Sequence, residues 1–129
     1  MPIGLVWLGW TLVLAVVQLF LSAAACRQQD SLQWASSNRD GEPPHYTGMA
    51  ARLKRAQANL METLPIFIGA VLLAWVAGRY SPLTGWGAGI YFLARALYVP
   101  AYAFGWGPVR SLIWGVSIAG LLLVLISLL

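Results

Sequence analysis

The sequence predicts an all-α membrane protein, a bundle of four transmembrane helices. Of its 129 residues, 60% are hydrophobic and only 9% are charged, and the mean hydropathy is +0.72. These values lie far outside the range of ordinary soluble domains. The apolar residues also occur in long blocks, which suit a lipid bilayer better than the core of a water-soluble domain.

The first apolar block runs without a charged residue from Ile3 to Ala25. The run from Ser22 to Cys26 resembles a signal-peptide cleavage site. However, no Lys or Arg precedes the block, and the block is longer than the core of a signal peptide, so we expect a spanning helix. Cys26 is the only cysteine, which excludes an intrachain disulfide and a thiolate metal site; we expect it to pack at the helix end.

The remaining blocks are separated by polar or turn-forming segments. Residues 27–47 form a loop that contains a Pro-rich turn and His45, which has no metal-ligand partners nearby. The next helix is about 45 Å long against a hydrocarbon core of about 30 Å, so its first turns project from the membrane. Tight turns at residues 78–82 and 105–108 divide the rest. The predicted spans, in a single domain, are residues 3–25, 48–77, 83–104 and 109–129.

The charge distribution predicts the orientation in the membrane. Eight Lys and Arg stand against four Asp and Glu, and five of the eight cations fall within residues 27–55. By the positive-inside rule the long loop is cytoplasmic and both termini are outside. So few cations do not suit nucleic-acid binding. Six tryptophans near span ends predict an interfacial aromatic belt: Trp7, Trp10, Trp75, Trp86, Trp106 and Trp114.

Four polar residues recur on one face of the second helix. They are spaced by three, four and three positions, the period of a helix face, and they are Arg52, Arg55, Asn59 and Glu62. Glu62 is unexpected because it stands just inside the apolar part of the helix, where an unpaired carboxylate costs on the order of 3 kcal/mol. A small-residue pair on the third helix, Gly85 and Gly89, predicts close helix packing.

The third helix carries a matching stripe, formed by Arg95, Tyr98 and Tyr102. Arg95 lies about 16 Å from the outer edge of the membrane, near its middle. Because a lone Arg95 and a lone Glu62 would both be costly, we expect them to face inward and pair. A structural ion pair is one interpretation. With Arg110 and Ser111 at the start of the fourth span, more polar groups converge than one ion pair needs, which predicts a pocket for a small anion beside a lipophilic ligand.

In this order and on these spans, the motifs resemble those of the MAPEG family, the membrane-associated proteins in eicosanoid and glutathione metabolism. The most specific motifs are Arg52-x-x-Arg55-Ala56-x-x-Asn59-x-x-Glu62, Arg95-x-x-Tyr98-x-x-x-Tyr102 and Arg110-Ser111. The resemblance covers the whole chain in span layout. It is to a short, prokaryotic-type member, which implies location in a bacterial inner membrane. It implies a four-helix bundle that assembles as a homotrimer and binds glutathione between neighbouring subunits near the cytoplasmic face. Members conjugate glutathione to lipophilic electrophiles, reduce lipid hydroperoxides or isomerise endoperoxides.

The resemblance also implies roles for individual residues. Arg110 and Ser111 match the catalytic pair near the glutathione sulfur. The expected glutathione-binding residues are Arg52, Arg55, Asn59, Glu62, Arg95, Tyr98 and Tyr102. Glutathione has two carboxylates that suit Arg and one ammonium that suits a carboxylate, and a nearby guanidinium or hydroxyl stabilises its thiolate. Gln57 and Ala58 depart from the pattern, because the best-studied glutathione-using members resemble His-Arg there, so one cation is missing.

The sequence is consistent with three functions. The leading hypothesis is a membrane-bound, glutathione-dependent transferase or peroxidase, of the microsomal glutathione transferase type, acting on lipophilic electrophiles or lipid hydroperoxides dissolved in the membrane. The second is a non-catalytic scaffold that binds lipids, which predicts that Arg110→Ala and Ser111→Ala leave function intact. The third is a small proton-coupled transporter in which Glu62 carries the proton.

Overall fold

The computed structural model describes residues 1–28 and 46–129, and these residues form four α-helices. Short turns connect the second of these helices to the third and the third to the fourth. The helices are α1 (Ile3–Arg27), α2 (Gly48–Val76), α3 (Pro82–Ala103) and α4 (Pro108–Ser127). The all-helical prediction is confirmed for the described part of the chain, and every helix end falls close to the end of a predicted span. The predicted cytoplasmic loop, with His45, lies almost entirely outside the described residues.

Local sequence signals set where α3 and α4 begin. Pro82 and Pro108 each occupy the first helical position, which suits a residue that has no backbone N–H to donate. Before α3, the backbone N–H of Ser81 donates to Oγ1 of Thr84 at 3.2 Å, which satisfies a donor at the helix start. Before α4, Gly107 has a φ of +62°, a conformation that glycine adopts without steric cost.

Helix α3 is the most buried helix of the four, and it packs against α1, α2 and α4. Eleven of its 22 residues are buried. The buried fraction is lower in the other three helices, with six of 25 in α1, nine of 29 in α2 and four of 20 in α4. Polar side chains on α3 can therefore point into the protein rather than into lipid.

The prediction of four strongly apolar spans needs a correction at α3. Helices α1, α2 and α4 are long and apolar enough to cross a membrane, with mean hydropathies of 2.1, 1.7 and 2.2 over their most apolar 18 residues. Helix α3 is not among them, because it contains Arg95, three tyrosines and three glycines. Its neighbours cover these polar and small residues, so α3 does not need a uniformly apolar surface.

Small residues allow the helices to approach closely. The predicted role of Gly85 and Gly89 is confirmed, because a Cβ on Gly85 would lie 2.7 Å from the side chain of Ile3, and one on Gly89 would lie 2.9 Å from that of Trp7. The α3–α4 contact is tighter still. A Cβ on Gly120 would lie 2.7 Å from the backbone nitrogen of Tyr91, and backbone atoms cannot rotate away.

We therefore expect Gly120→Val to destabilise the bundle by about 1–3 kcal/mol, the usual cost of overpacking. The matched control is Gly115→Val on the same helix, because a Cβ at Gly115 meets no atom within 4 Å. Thermal denaturation of both variants in detergent, followed by size-exclusion chromatography, measures the difference. Equal melting temperatures for the two variants would contradict the close α3–α4 contact.

Candidate functional site

A cavity of about 410 Å³ opens between α2, α3 and α4. We call it the main pocket; its volume falls in the range of about 300–1,000 Å³ that is common for small-molecule sites. Two guanidinium groups and one carboxylate share it with tyrosine, serine and tryptophan side chains. Its lining residues are Arg55, Ala58, Asn59, Glu62, Tyr98, Tyr102, Arg110, Ser111 and Trp114.

Helix α2 supplies one wall of the main pocket through a single face. Arg55, Ala58, Asn59 and Glu62 follow one another at helical spacing and all line the cavity. Arg55 and Glu62 are exposed on the surface of the single chain. Glu62 is the only acidic side chain within residues 1–28 and 46–129, so within the described part of the chain this wall has both signs of charge but only one carboxylate.

The prediction that Arg95 pairs with Glu62 is wrong, because Arg95 hydrogen-bonds Asn59 instead. Arg95 is only 1% exposed, and its Nη1 donates to Oδ1 of Asn59 at 2.9 Å. Its Nε and Nη2 have no hydrogen-bond partner among the described residues. The register explains this, because antiparallel α2 and α3 place Asn59 level with Arg95, while Thr63, next to Glu62, hydrogen-bonds Tyr91 at 2.8 Å.

The Arg95 contact fixes the orientation of the Asn59 amide. A guanidinium carries only donors, so the atom that faces it must be the amide oxygen. The Nδ2 group of Asn59 therefore points away from Arg95, and Asn59 lines the main pocket. Arg95 itself does not line the cavity; it lies one layer behind, where it positions Asn59.

Two of the three tyrosines of α3, Tyr98 and Tyr102, lie between arginines. The Arg95 guanidinium lies 4.4 Å from the ring centre of Tyr98, and the Tyr98 and Tyr102 rings meet edge to face at 5.5 Å. On the far side, the Arg110 guanidinium lies 4.6 Å from the Tyr102 ring. Nε of Arg55 also donates to the Tyr102 hydroxyl at 3.1 Å. These cation–π and hydrogen-bond contacts hold the tyrosines in place and leave the Tyr102 proton available to a ligand.

The first turn of α4 closes the main pocket. Arg110 and Ser111 lie in that turn, where the helix dipole gives the helix end a partial positive charge. Trp114 follows one turn later and adds an apolar ring to the wall. This corner thus combines a guanidinium, a hydroxyl and a helix N-terminus, all of which favour an anion.

Not every predicted site residue lines the main pocket. Arg52 lies in a neighbouring cavity of about 200 Å³, which we call the arginine pocket, and its Nη1 donates to the carbonyl oxygen of Ala103 at 3.3 Å. We did not predict from the sequence that Ala58 and Trp114 line the main pocket. We also missed Tyr91, which extends the Arg95 stripe one turn deeper. The sequence does contain a signal for Trp114 and Tyr91, because each stands at helical spacing from a predicted site residue: Trp114 from Ser111, and Tyr91 from Arg95.

Comparison with known protein families gives a match over most of the chain. The family model described as MAPEG family matches residues 7–129, which is essentially the whole chain, so the resemblance predicted from the motifs is confirmed. Neither the curated proteins nor the solved structures give a significant match.

Proposed function

The chain belongs to the MAPEG family, and on that premise we propose that it is a membrane-bound, glutathione-dependent transferase or peroxidase. Its substrates would be lipophilic electrophiles or lipid hydroperoxides. The observation that carries the proposal is the main pocket, where Arg55, Glu62 and the Arg110-Ser111 pair at a helix N-terminus line one cavity. Both signs of charge are not found together in the arginine pocket, nor in the two apolar cavities that lie between α1 and α3 and between α3 and α4.

The charges of the main pocket match those of glutathione. Its two carboxylates would bind the guanidinium groups of Arg55 and Arg110, and its ammonium would bind Glu62. The amide Nδ2 of Asn59 and the Tyr102 hydroxyl would donate to its peptide or carboxylate oxygens. Each donor is already held by a neighbour, so little side-chain entropy would be lost on binding.

We propose that Arg110, Ser111 and the N-terminus of α4 stabilise the glutathione thiolate. Positive charge beside a thiol favours the thiolate, which is the nucleophile. In conjugation, the sulfur forms a C–S bond with the electrophilic carbon while the leaving group departs with its electron pair. With a lipid hydroperoxide, the sulfur attacks the terminal oxygen and the O–O bond breaks, giving an alcohol and a sulfenic acid. A second glutathione then yields the disulfide and water.

The lipophilic partner would enter from the membrane along α4. Trp114 is 41% exposed and lines the main pocket next to Ser111, so an apolar molecule lying against this ring would reach the sulfur. A partner dissolved in the bilayer needs no route through water.

We further propose that the chain works as a homotrimer, as its family membership suggests. Glu62 and Arg55 lie on the exposed surface of α2, beside Met61 and Ile66, which are 42% and 51% exposed. A carboxylate facing lipid is costly, and a second copy packed on α2 would remove that cost. The positive-inside rule would place this end of the bundle on the cytoplasmic side.

Turnover by the purified protein in lipid nanodiscs tests the proposal. We expect glutathione-dependent conjugation of an aryl halide, reduction of a lipid hydroperoxide, or both. We also expect the active reaction to fall in Ser111→Ala, because the hydroxyl beside the sulfur is removed. Absence of both reactions in the wild-type protein would overturn the enzymatic proposal and favour the lipid-binding scaffold.

A further inference from the structure

The arginine pocket brings together three guanidinium groups. Arg52 and Arg55 come from α2 and Arg110 from α4, and the remaining lining residues are Tyr102, Gly105 and Gly107. Neither glycine has a side chain to fill the space; a Cβ on Gly105 would lie 3.5 Å from the Arg52 guanidinium carbon. The arginine pocket is therefore lined by three guanidinium groups and one phenol, and no side chain of its two glycines occupies the space.

The arginine pocket lacks a counter-charge within the described part of the chain. The single carboxylate there, Glu62, lines the main pocket and not this one. Three guanidiniums around one small hollow repel one another, and an anion bound between them would remove that repulsion. Among residues 1–28 and 46–129, Arg52 has one hydrogen bond, from its Nη1 to the carbonyl oxygen of Ala103 at 3.3 Å, so these residues leave most of its donors available.

The position of the arginine pocket identifies the class of anion. It lies at the α3–α4 turn, directly beside Phe104 and Trp106. These rings stack with their centres 6.5 Å apart and are 62% and 46% exposed. Exposed aromatic rings at the end of a span favour the level of the lipid headgroups, where the abundant anion is phosphate.

We propose that the arginine pocket binds a phosphate group, either from an anionic lipid headgroup or free in solution. The forked donors of arginine suit phosphate oxygens, and the Tyr102 hydroxyl adds a further donor. The volume of about 200 Å³ is half that of the main pocket, which suits a single tetrahedral anion rather than a tripeptide.

A bound phosphate would couple to the main pocket, because Arg55, Tyr102 and Arg110 line both cavities. Two anions that share these cations weaken each other, and the effect is reciprocal. This consequence rests on the proposed glutathione function. If glutathione binds, its affinity should be about tenfold lower in phosphatidylglycerol nanodiscs than in phosphatidylcholine nanodiscs, with roughly 1.4 kcal/mol corresponding to each factor of ten.

The direct experiment needs no thiol. The wild-type protein is released from nanodiscs of equal parts phosphatidylcholine and phosphatidylglycerol into native mass spectrometry, and its retained lipids are counted. A parallel titration in detergent with inorganic phosphate tests the free anion. We expect preferential retention of phosphatidylglycerol if the source is lipid, or saturable phosphate binding if the source is free phosphate. Arg52→Gln should weaken the observed binding about tenfold, the usual loss for one charge-assisted contact.

Two further variants separate the arginine pocket from general charge effects. Arg79→Gln removes the same charge from the exposed turn at the other end of the bundle and should leave binding unchanged. Arg52→Lys keeps the charge and should retain most of it, which also controls for misfolding of Arg52→Gln. Lipid retention in proportion to the nanodisc composition, together with no binding of inorganic phosphate, would overturn the proposal. So would equal losses in Arg52→Gln and Arg79→Gln.

Discussion

Replacing Arg110 with leucine is expected to lower kcat/KM for glutathione conjugation by about 10²–10³, the usual loss when one preorganised donor to a developing anion is removed. Arg110 lies in the first turn of α4 beside Ser111, and its guanidinium is held 4.6 Å from the Tyr102 ring. Leucine keeps the helix and fills much of the same volume, so the bundle should remain folded. The loss would come from a smaller thiolate fraction and weaker carboxylate binding.

Steady-state kinetics with an aryl halide in zwitterionic nanodiscs measures this effect, with Arg79→Leu as the matched control for loss of one exposed arginine. Raising the pH should partly rescue Arg110→Leu, because hydroxide then generates the thiolate that the guanidinium no longer favours. A fall in kcat/KM that is the same for Arg110→Leu and Arg79→Leu would contradict the proposed role of Arg110.

Substitutions at Asn59 are expected to separate stability from binding. Asn59→Leu removes the one hydrogen-bond acceptor that the described residues offer to the buried Arg95 guanidinium. It should destabilise the bundle by about 3–5 kcal/mol, the cost of an unpaired buried charge. Asn59→Asp gives Arg95 a charged acceptor in place of a neutral one. It should therefore be at least as stable as the wild type.

Asn59→Asp should nevertheless bind glutathione about 10–100-fold more weakly, because it loses the Nδ2 donor and adds a negative charge beside the ligand carboxylates. Thermal denaturation and calorimetric titration of the same samples measure both effects. A melting temperature of Asn59→Leu equal to that of the wild type would contradict the inferred contact between Arg95 and Asn59. Unchanged glutathione binding by Asn59→Asp would contradict the proposed contact between Asn59 Nδ2 and the ligand.

The sequence predicted the helices and their polar faces because both depend on local spacing. Uncharged blocks and Pro or Gly turns determine where a span begins and ends. A period of three to four residues places Arg55, Asn59 and Glu62 on one face of α2 whatever that face contacts. The same period places Tyr98 and Tyr102 together on α3. The structure brings these residues to one cavity with Arg110 and Ser111.

What the sequence could not supply is the register between helices. Depth estimates placed both Glu62 and Arg95 inside the membrane, but a shift of one helical turn decides whether Arg95 meets Glu62 or Asn59. For the same reason the sequence placed Arg52 in the site, whereas in the structure it lines the neighbouring arginine pocket and not the main pocket.

Some residue types also fit two environments equally well. Trp114 suits a membrane interface as well as a pocket wall. The tight contact at Gly120 depends on the facing backbone of α3, which no pattern within α4 reveals.

Calorimetric titration of glutathione into the wild-type protein and into Glu62→Gln, both in phosphatidylcholine nanodiscs, tests the central claim most directly. The variant keeps the side-chain shape and removes only the charge that would hold the glutathione ammonium. We predict saturable binding to the wild type and binding roughly tenfold or more weaker to Glu62→Gln, the loss expected for one charge-assisted pair. No saturable binding to the wild type, or equal affinity for the two proteins, would contradict glutathione recognition in the main pocket.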